Sequence, residues 1–202
     1  MHSEAFQSII EFRRSNRKFD PAIEVPEEVM IKSLERTVLS PNSSNMQLWE
    51  FHWIKSRDQL NKFVPLCLNQ QTAKTAAHMV AFVIRRDLWK QRVQWHKQNI
   101  RNEMGDQAPN KYQKRMLDYY TKIVPFAYSN DWLGIMGLLR TIVSNTIALF
   151  RPMTRMGGVS DTKIVVHKSC ALAAQTFMLS IAAEGYETCP MEGFDQVRAR
   201  KA

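Results

Sequence analysis

The fifteen residues from Ser40 to Ile54 constrain the fold more than any other stretch, because they require two different backbone habits in quick succession. Ser40-Pro41-Asn42-Ser43-Ser44-Asn45-Met46-Gln47 opens with a proline and then strings together short polar side chains. Asn and Ser bond to nearby backbone groups and disfavour regular helix, so this segment predicts a shaped loop. Trp49, Phe51 and Trp53 then alternate with Glu50 and His52, the period-2 pattern of a strand. Upstream, Val25-Pro26-Glu27-Glu28 predicts a helix start with Pro26 at the first helical position and acids in the first turn. Val29, Met30, Ser33, Leu34, Thr37 and Val38 predict its buried face. The result is helix, polar loop, core strand, and a loop braced in this way commonly carries function.

The remaining elements arrange themselves around this unit. Phe6, Ile9, Ile10 and Arg13 predict an amphipathic first helix ending near Arg13-Arg14-Ser15-Asn16-Arg17, a short basic loop. Ser56 and Asp58 can cap a helix carrying Leu60, Phe63, Val64 and Leu66, with Pro65 bending or ending it. A polar turn at Asn69-Gln70-Gln71 and an Ala-rich helix follow. The apolar run Met79–Ile84 predicts a central strand buried on both faces. Between Arg85 and Lys122, ten Lys/Arg against four Asp/Glu give a local net charge of +6, within a chain of net +9. Leu88, Arg92, Trp95 and Asn99 mark one helix there; Met104–Pro109 breaks it, and Lys111–Ile123 resumes it. Basic residues interleaved with aromatics can follow a nucleic-acid strand, but no nucleic-acid-binding signature accompanies them, and a solvated helical pair is expected. Residues 132–150 are the most apolar, but Arg140 lies mid-segment at a cost of ~2.5–3.5 kcal/mol for membrane insertion. A buried or dimer-facing helix is expected there, with surface membrane contact the lesser reading. Arg151–Thr162 predicts a loop, Lys168–Glu184 a long helix capped by Gly185, and Tyr186–Cys189 a short strand.

Several function classes fall away. The 202 residues fit one domain with a sizeable core. The three cysteines form no CxxC pair and the five histidines show no ligand spacing, so neither a metal site nor a disulfide framework is indicated. Neither GxGxxG nor GxxxxGK[ST] occurs among the seven glycines. The N-terminus lacks a charged-then-apolar export pattern, and a cytoplasmic location is the expectation.

Three segments together carry a resemblance. Guanidinium groups match phosphate oxygens bidentately and a serine hydroxyl adds a neutral donor, so Arg13, Arg14, Ser15 and Arg17 suit a phosphate monoester. Read with the Pro41-Asn42-Ser43-Ser44-Asn45-Met46-Gln47-Leu48-Trp49 loop and the late Pro190-Met191-Glu192-Gly193-Phe194-Asp195 turn, this basic loop resembles the FMN-dependent nitroreductase family in order and spacing. The resemblance covers most of the chain, with a variable helical insertion at about residues 86–165. Family members typically continue some tens of residues beyond the Gly-Phe-Asp segment with a last strand.

The resemblance implies an α+β fold, a three-layer α/β/α sandwich with a mixed, mainly antiparallel central sheet. It implies that Arg13, Ser15 and Arg17 hold the FMN phosphate, with Arg14 adding charge or backbone contacts. Pro41, Asn42, Ser43, Asn45 and Gln47 would surround the flavin, partly across a homodimer interface. Asn69 would bond a polar edge of the ring, with a helix cap as its competing role, and Pro190, Met191, Glu192 and Gly193 would line the reactive face. The implied reaction is an NAD(P)H-driven two-electron reduction of nitroaromatics, quinones or related acceptors in two half-reactions. It needs no catalytic side chain, because the flavin carries the chemistry. Segment 112–132, with Phe126 and Tyr128, would cover the pocket. Reductive dehalogenation and flavin-fragmenting chemistry stay open within the family, as does a basic binding module with a vestigial flavin site.

Overall fold

The computed structural model describes residues 2–129, 135–153 and 159–202, and the chain divides into two compact units. One comprises Met1–Ser40, Glu50–Val83 and Ala171–Ala202; the other comprises Pro41–Trp49 and Ile84–Cys170. The fold is α+β and mostly helical. Strands β1 (Trp49–Ile54) and β2 (Met79–Ile84) pair in a two-stranded sheet. Arg85 N, just past β2, donates to Leu48 O, just before β1, at 3.0 Å. The start of one strand therefore meets the end of the other, and the sheet is antiparallel.

In the first unit, α1 (His2–Phe12) leads into the basic loop, and α2 (Glu27–Val38) follows. Pro26 takes the N-cap position of α2 rather than its first turn. Met30, Ser33 and Thr37 form the buried stripe of α2, whereas Val38 stays exposed. Helix α3 (Arg57–Leu66) starts where Ser56 Oγ accepts from Gln59 N at 3.3 Å, as its cap position predicts, and keeps Pro65 in its last turn. Short α4 (Gln71–Thr75) precedes β2. The core joins Met30, Phe177 and Ile181 to Val80, Phe82 and Trp53, with Phe82 between Phe51 (5.1 Å) and Phe177 (5.7 Å). A polar seam runs alongside it: Ser180 Oγ donates to Ser33 Oγ at 3.0 Å, and Arg36 reaches Ser180 Oγ and the Glu184 carboxylate at 3.0 and 2.7 Å. Both serines are buried, so their mutual hydrogen bond satisfies groups that water cannot reach.

The second unit is built by α5 (Trp89–Met104), α6 (Lys111–Asp118), a π-helical turn (Tyr119–Ile123), α7 (Val124–Tyr128) and α8 (Ile135–Ala148). Its core packs Met46 and Leu48 against Val93, Tyr120, Val124, Tyr128 and Val166. The expected stripe on α5 is displaced: Val93 and His96 are buried, while Trp95 is exposed. Polar His96 has bonding partners inside and so outcompetes the larger indole for the core position. Gly105 ends α5 at a φ of 55°, and an Asn110–Gln113 capping box starts α6, matching the break expected at 104–109. Arg140 on α8 is buried and donates to the carbonyls of Phe126, Ala127 and Ser129 at 3.0, 3.0 and 2.7 Å. The cation in the apolar stretch therefore serves the end of α7, and α8 at 14 residues is shorter than the ~20 a bilayer span needs.

Helix α9 (Val159–Ala183) begins nine residues before the expected Lys168 and replaces the last part of the expected loop. The glycines Gly157 and Gly158 lie outside the described residues. Residues Asp161–Ala183 are long and apolar enough to cross a membrane by length and composition, yet Ala173, Phe177 and Ile181 are buried in protein. Gly185 closes the helix at a φ of 85°, and Tyr186 N donates to Ile181 O at 3.1 Å. The strand expected at 186–189 is reduced to one parallel bridge between Thr188 and Ser15, and β2 is half-buried rather than enclosed on both faces. The chain closes on α10 (Gln196–Ala199), capped by the Asp195 carboxylate.

Candidate functional site

Within the first unit, the basic loop, the Asn69 turn and the Pro190–Gly193 turn are tied together by main-chain and side-chain hydrogen bonds. Ser15 bridges Thr188, and Asn16 N donates to Thr188 O at 3.2 Å. The Asn16 side-chain amide donates to the Glu187 carboxylate. Thr72 Oγ1 donates to Arg17 O at 3.2 Å, and Phe19 N donates to Thr75 Oγ1 at 2.9 Å. Gln70 Nε2 donates to Gly193 O at 2.7 Å, and Asp195 N to Leu66 O at 2.8 Å. The short α4 thus serves as a common anchor, holding Arg17 from one side while the residue before it holds Gly193.

These bonds fix backbone and leave the charged heads free. The guanidinium groups of Arg13 and Arg17 make no hydrogen bond or ion pair among the described residues, whereas Arg14 folds back on Ile10 O and Arg13 O at 3.1 and 2.8 Å. Thr188 Oγ1, beside Ser15, is buried and has no partner among the described residues. A basic protein that keeps two cations unpaired on a braced loop, next to an orphaned hydroxyl, offers donors to an anion. The residues present therefore fit a phosphate monoester. Arg14 differs from its neighbours in being engaged already with its own helix end.

Asn69 does not cap α4; Gln70 occupies that N-cap position. Asn69 instead sits at a φ of 55°, after Leu68 at 56°, and its N–H closes α3 by donating to Val64 O at 3.0 Å. Asparagine tolerates this left-handed conformation better than most residues. Its side-chain amide, like the Glu192 carboxylate, makes no hydrogen bond among the described residues. Gly193 faces Gln70 closely, since a Cβ there would lie 3.4 Å from Nε2.

The Pro41–Gln47 loop belongs to the second unit. It makes a single 3-10 turn at Ser43–Asn45, and Asn42 Oδ1 accepts from Gln47 N at 2.8 Å. Ser44, Asn45 and Gln47 have φ of 56°, 50° and 46°. Around them stand side chains that sequence reasoning left out of the site. Tyr119 Oη lies 2.6 Å from Ser44 Oγ, Tyr120 Oη donates to Ser44 O at 3.0 Å, and His96 Nε2 meets Asn45 O at 2.8 Å. Ser43 N donates to Ser169 Oγ at 3.2 Å. His96 stacks on Tyr120 with ring centroids 4.4 Å apart. Burial lowers the His96 pKa, with Arg92 adding to that effect and the Asn45 carbonyl opposing it. Burial likewise raises the Tyr120 and Tyr128 hydroxyls, so all three rings are neutral at pH 7. Tyr128 packs in the core against Trp89 at 6.4 Å. Gln70, Thr72 and Thr188 in the first unit were also missed, because their roles rest on contacts with residues far away in sequence. Among the described residues no group of three His, Cys, Asp or Glu could hold a metal ion.

The model of the nitroreductase family matches residues 10–202. The chain belongs to the nitroreductase family. Among relatives, it is 25% identical over 191 residues to YdgI of Bacillus subtilis (strain 168), which carries the provisional name NAD(P)H nitroreductase; the match covers 95% of this chain and 76% of YdgI. Solved structures of nitroreductase type share the fold. One is a nitroreductase assignment from Exiguobacterium sibiricum 255-15 in complex with FMN, at 22% identity and TM-score 0.66, covering 97% of this chain and 78% of that one. Another is YdfN of Bacillus subtilis, at 18% identity and TM-score 0.70, covering 100% of this chain and 81% of that one. The nitroreductase identity and the α+β fold expected from the three motifs are thus borne out.

Proposed function

We propose that this chain is an FMN-dependent oxidoreductase that uses NAD(P)H to reduce nitroaromatics, quinones or related two-electron acceptors in alternating half-reactions. The nitroreductase membership, the FMN complex of the Exiguobacterium protein and the NAD(P)H in the name of YdgI all support this reading. The observation that carries it is the pair of unpartnered guanidinium groups, Arg13 and Arg17, on a backbone that Thr72 and Thr188 hold in place. Those two cations and Ser15 are assigned to the phosphate, with Arg14 completing the local positive field. Asn69, Pro190, Met191, Glu192 and Gly193 are assigned to the ring, as are Pro41, Asn42, Ser43, Asn45 and Gln47, some of them from a second copy of the chain.

FMN, when bound, would supply the redox chemistry, two-electron transfer between nicotinamide and acceptor. The protein's residues bind and orient, and none is assigned as acid or base. A homodimer agrees with the uncovered apolar side chains of α1 (Phe6 56% and Phe12 43% exposed) and of α8 (Leu138 63%, Ile142 54%). A cytoplasmic site of action belongs to the same proposal.

The test is steady-state oxidation of NADH and NADPH by FMN-loaded protein, with menadione and a nitrobenzoate as acceptors. Acceptor-dependent oxidation with parallel double-reciprocal lines is expected. Absence of acceptor-dependent turnover in flavin-loaded protein would refute the activity, and intersecting lines would refute the alternating scheme.

A further inference from the structure

The Ser43–Gln47 loop carries an energetic problem that its own sequence does not solve. Ser44, Asn45 and Gln47 all hold positive φ, and none is glycine. A Cβ makes that conformation unfavourable, so the surroundings must enforce it. The enforcing groups come from α5 and from the π-helical turn that follows α6. Tyr119 and Tyr120 are adjacent in sequence, yet both hydroxyls reach Ser44, one at the side-chain oxygen (2.6 Å) and one at the carbonyl (3.0 Å). The π-helical turn begins at these two residues, and such turns recur at functional sites because they re-aim side chains. His96 meets the next carbonyl, that of Asn45, at 2.8 Å and is itself held flat against Tyr120.

The distribution of these bonds shows what the arrangement is for. Two of the three contacts grip main-chain oxygens. The side-chain amide of Gln47 makes no bond among the described residues, and that of Asn45 meets Asn42 only at 3.5 Å. The loop is therefore fixed mainly through its backbone, while the Gln47 amide remains open to a ligand.

We propose that His96, Tyr119 and Tyr120 are positioning residues that hold Ser44 and Asn45 in the left-handed conformation and thereby set the affinity of the loop for flavin. This rests on the assignment of Asn45 and Gln47 to the ring of FMN. The three residues act through the loop and touch neither cofactor nor substrate. A purely structural role would affect the fold and leave flavin affinity alone.

The experiment measures the FMN dissociation constant by flavin fluorescence, and the apoprotein melting temperature, for Tyr119→Phe, Tyr120→Phe and Ser44→Ala. Loss of one such hydrogen bond is expected to weaken FMN by about tenfold, with a melting shift of a few degrees. Tyr119→Phe should have no further effect on FMN in the Ser44→Ala background, because the partner oxygen is gone. Tyr119 is only half-buried, so Tyr119→Phe carries the test even if Tyr120→Phe fails to fold. Folded variants that bind FMN within twofold of wild type, while Arg13→Ala with Arg17→Ala weakens it more than a hundredfold, would overturn the clamp and keep the flavin site. Wild-type protein that binds no FMN would overturn both.

Discussion

Replacing Arg13 and Arg17 together by alanine separates binding from stability. Neither guanidinium is bonded within the described chain, and the loop is held by Ser15–Thr188, Thr72–Arg17 O and Phe19–Thr75, all of which survive truncation of the side chains. Apoprotein stability should therefore change by less than about 0.5 kcal/mol, the range for surface substitutions that break no packing or buried bond. Flavin binding should respond differently. A hydrogen bond to a charged group contributes roughly 1.5–3 kcal/mol, so two arginines on one phosphate contribute about 3–6 kcal/mol. Arg17 is exposed and Arg13 half-exposed, so solvent screening favours the lower end. About 3 kcal/mol corresponds to a loss of more than a hundredfold in FMN affinity. Isothermal titration of apoprotein with FMN, beside thermal melts, reads both quantities. An unchanged dissociation constant would refute the phosphate assignment, and a collapse of the melt would refute the claim that the loop stands without these side chains.

Three further outcomes follow from the geometry. Arg140→Met removes the buried donor for the Phe126, Ala127 and Ser129 carbonyls and should cost about 2–4 kcal/mol, part of it offset because Arg140 also depresses the neighbouring Arg86. For a chain of this size that is a fall of roughly 5–15 °C in melting temperature by calorimetry. His96 has a lowered pKa, so the unfolded chain binds its proton first as pH falls through about 6.5; its contribution is complete above that pH and is lost below it. Melting temperature should thus decline as pH falls below about 6.5, less steeply in His96→Gln, and identical slopes would contradict the burial argument. Gly185→Ala places a Cβ at a φ of 85° with open space around it, so only backbone strain acts, about 1 kcal/mol in a denaturant melt.

Local rules made much of the scaffold legible. Both strands, Trp49–Ile54 and Met79–Ile84, are bounded as the alternation and the apolar run predict. Ser56 starts α3 and Gly185 ends α9 by chemistry that needs no tertiary context. The basic loop and the Pro190–Gly193 turn lie together in one unit, although the intervening anchors Gln70 and Thr72 were silent in sequence. The buried face of α5 was misread because a histidine counts as polar in a periodic pattern, yet His96 finds its carbonyl 51 residues away. The same distance hid Tyr119 and Tyr120, and no periodicity announces a π-helical turn. The helical extension at Val159 runs through Ser160 and Asp161, whose preference for turns is overridden once the helix continues into the core at Val166 and Cys170.

The central claim is that this nitroreductase-family chain holds one FMN per subunit. Ultraviolet–visible spectroscopy of protein reconstituted with FMN and freed of excess by gel filtration tests it directly. A flavin-to-chain ratio near one is predicted, and a colourless protein that retains no flavin after reconstitution would contradict it.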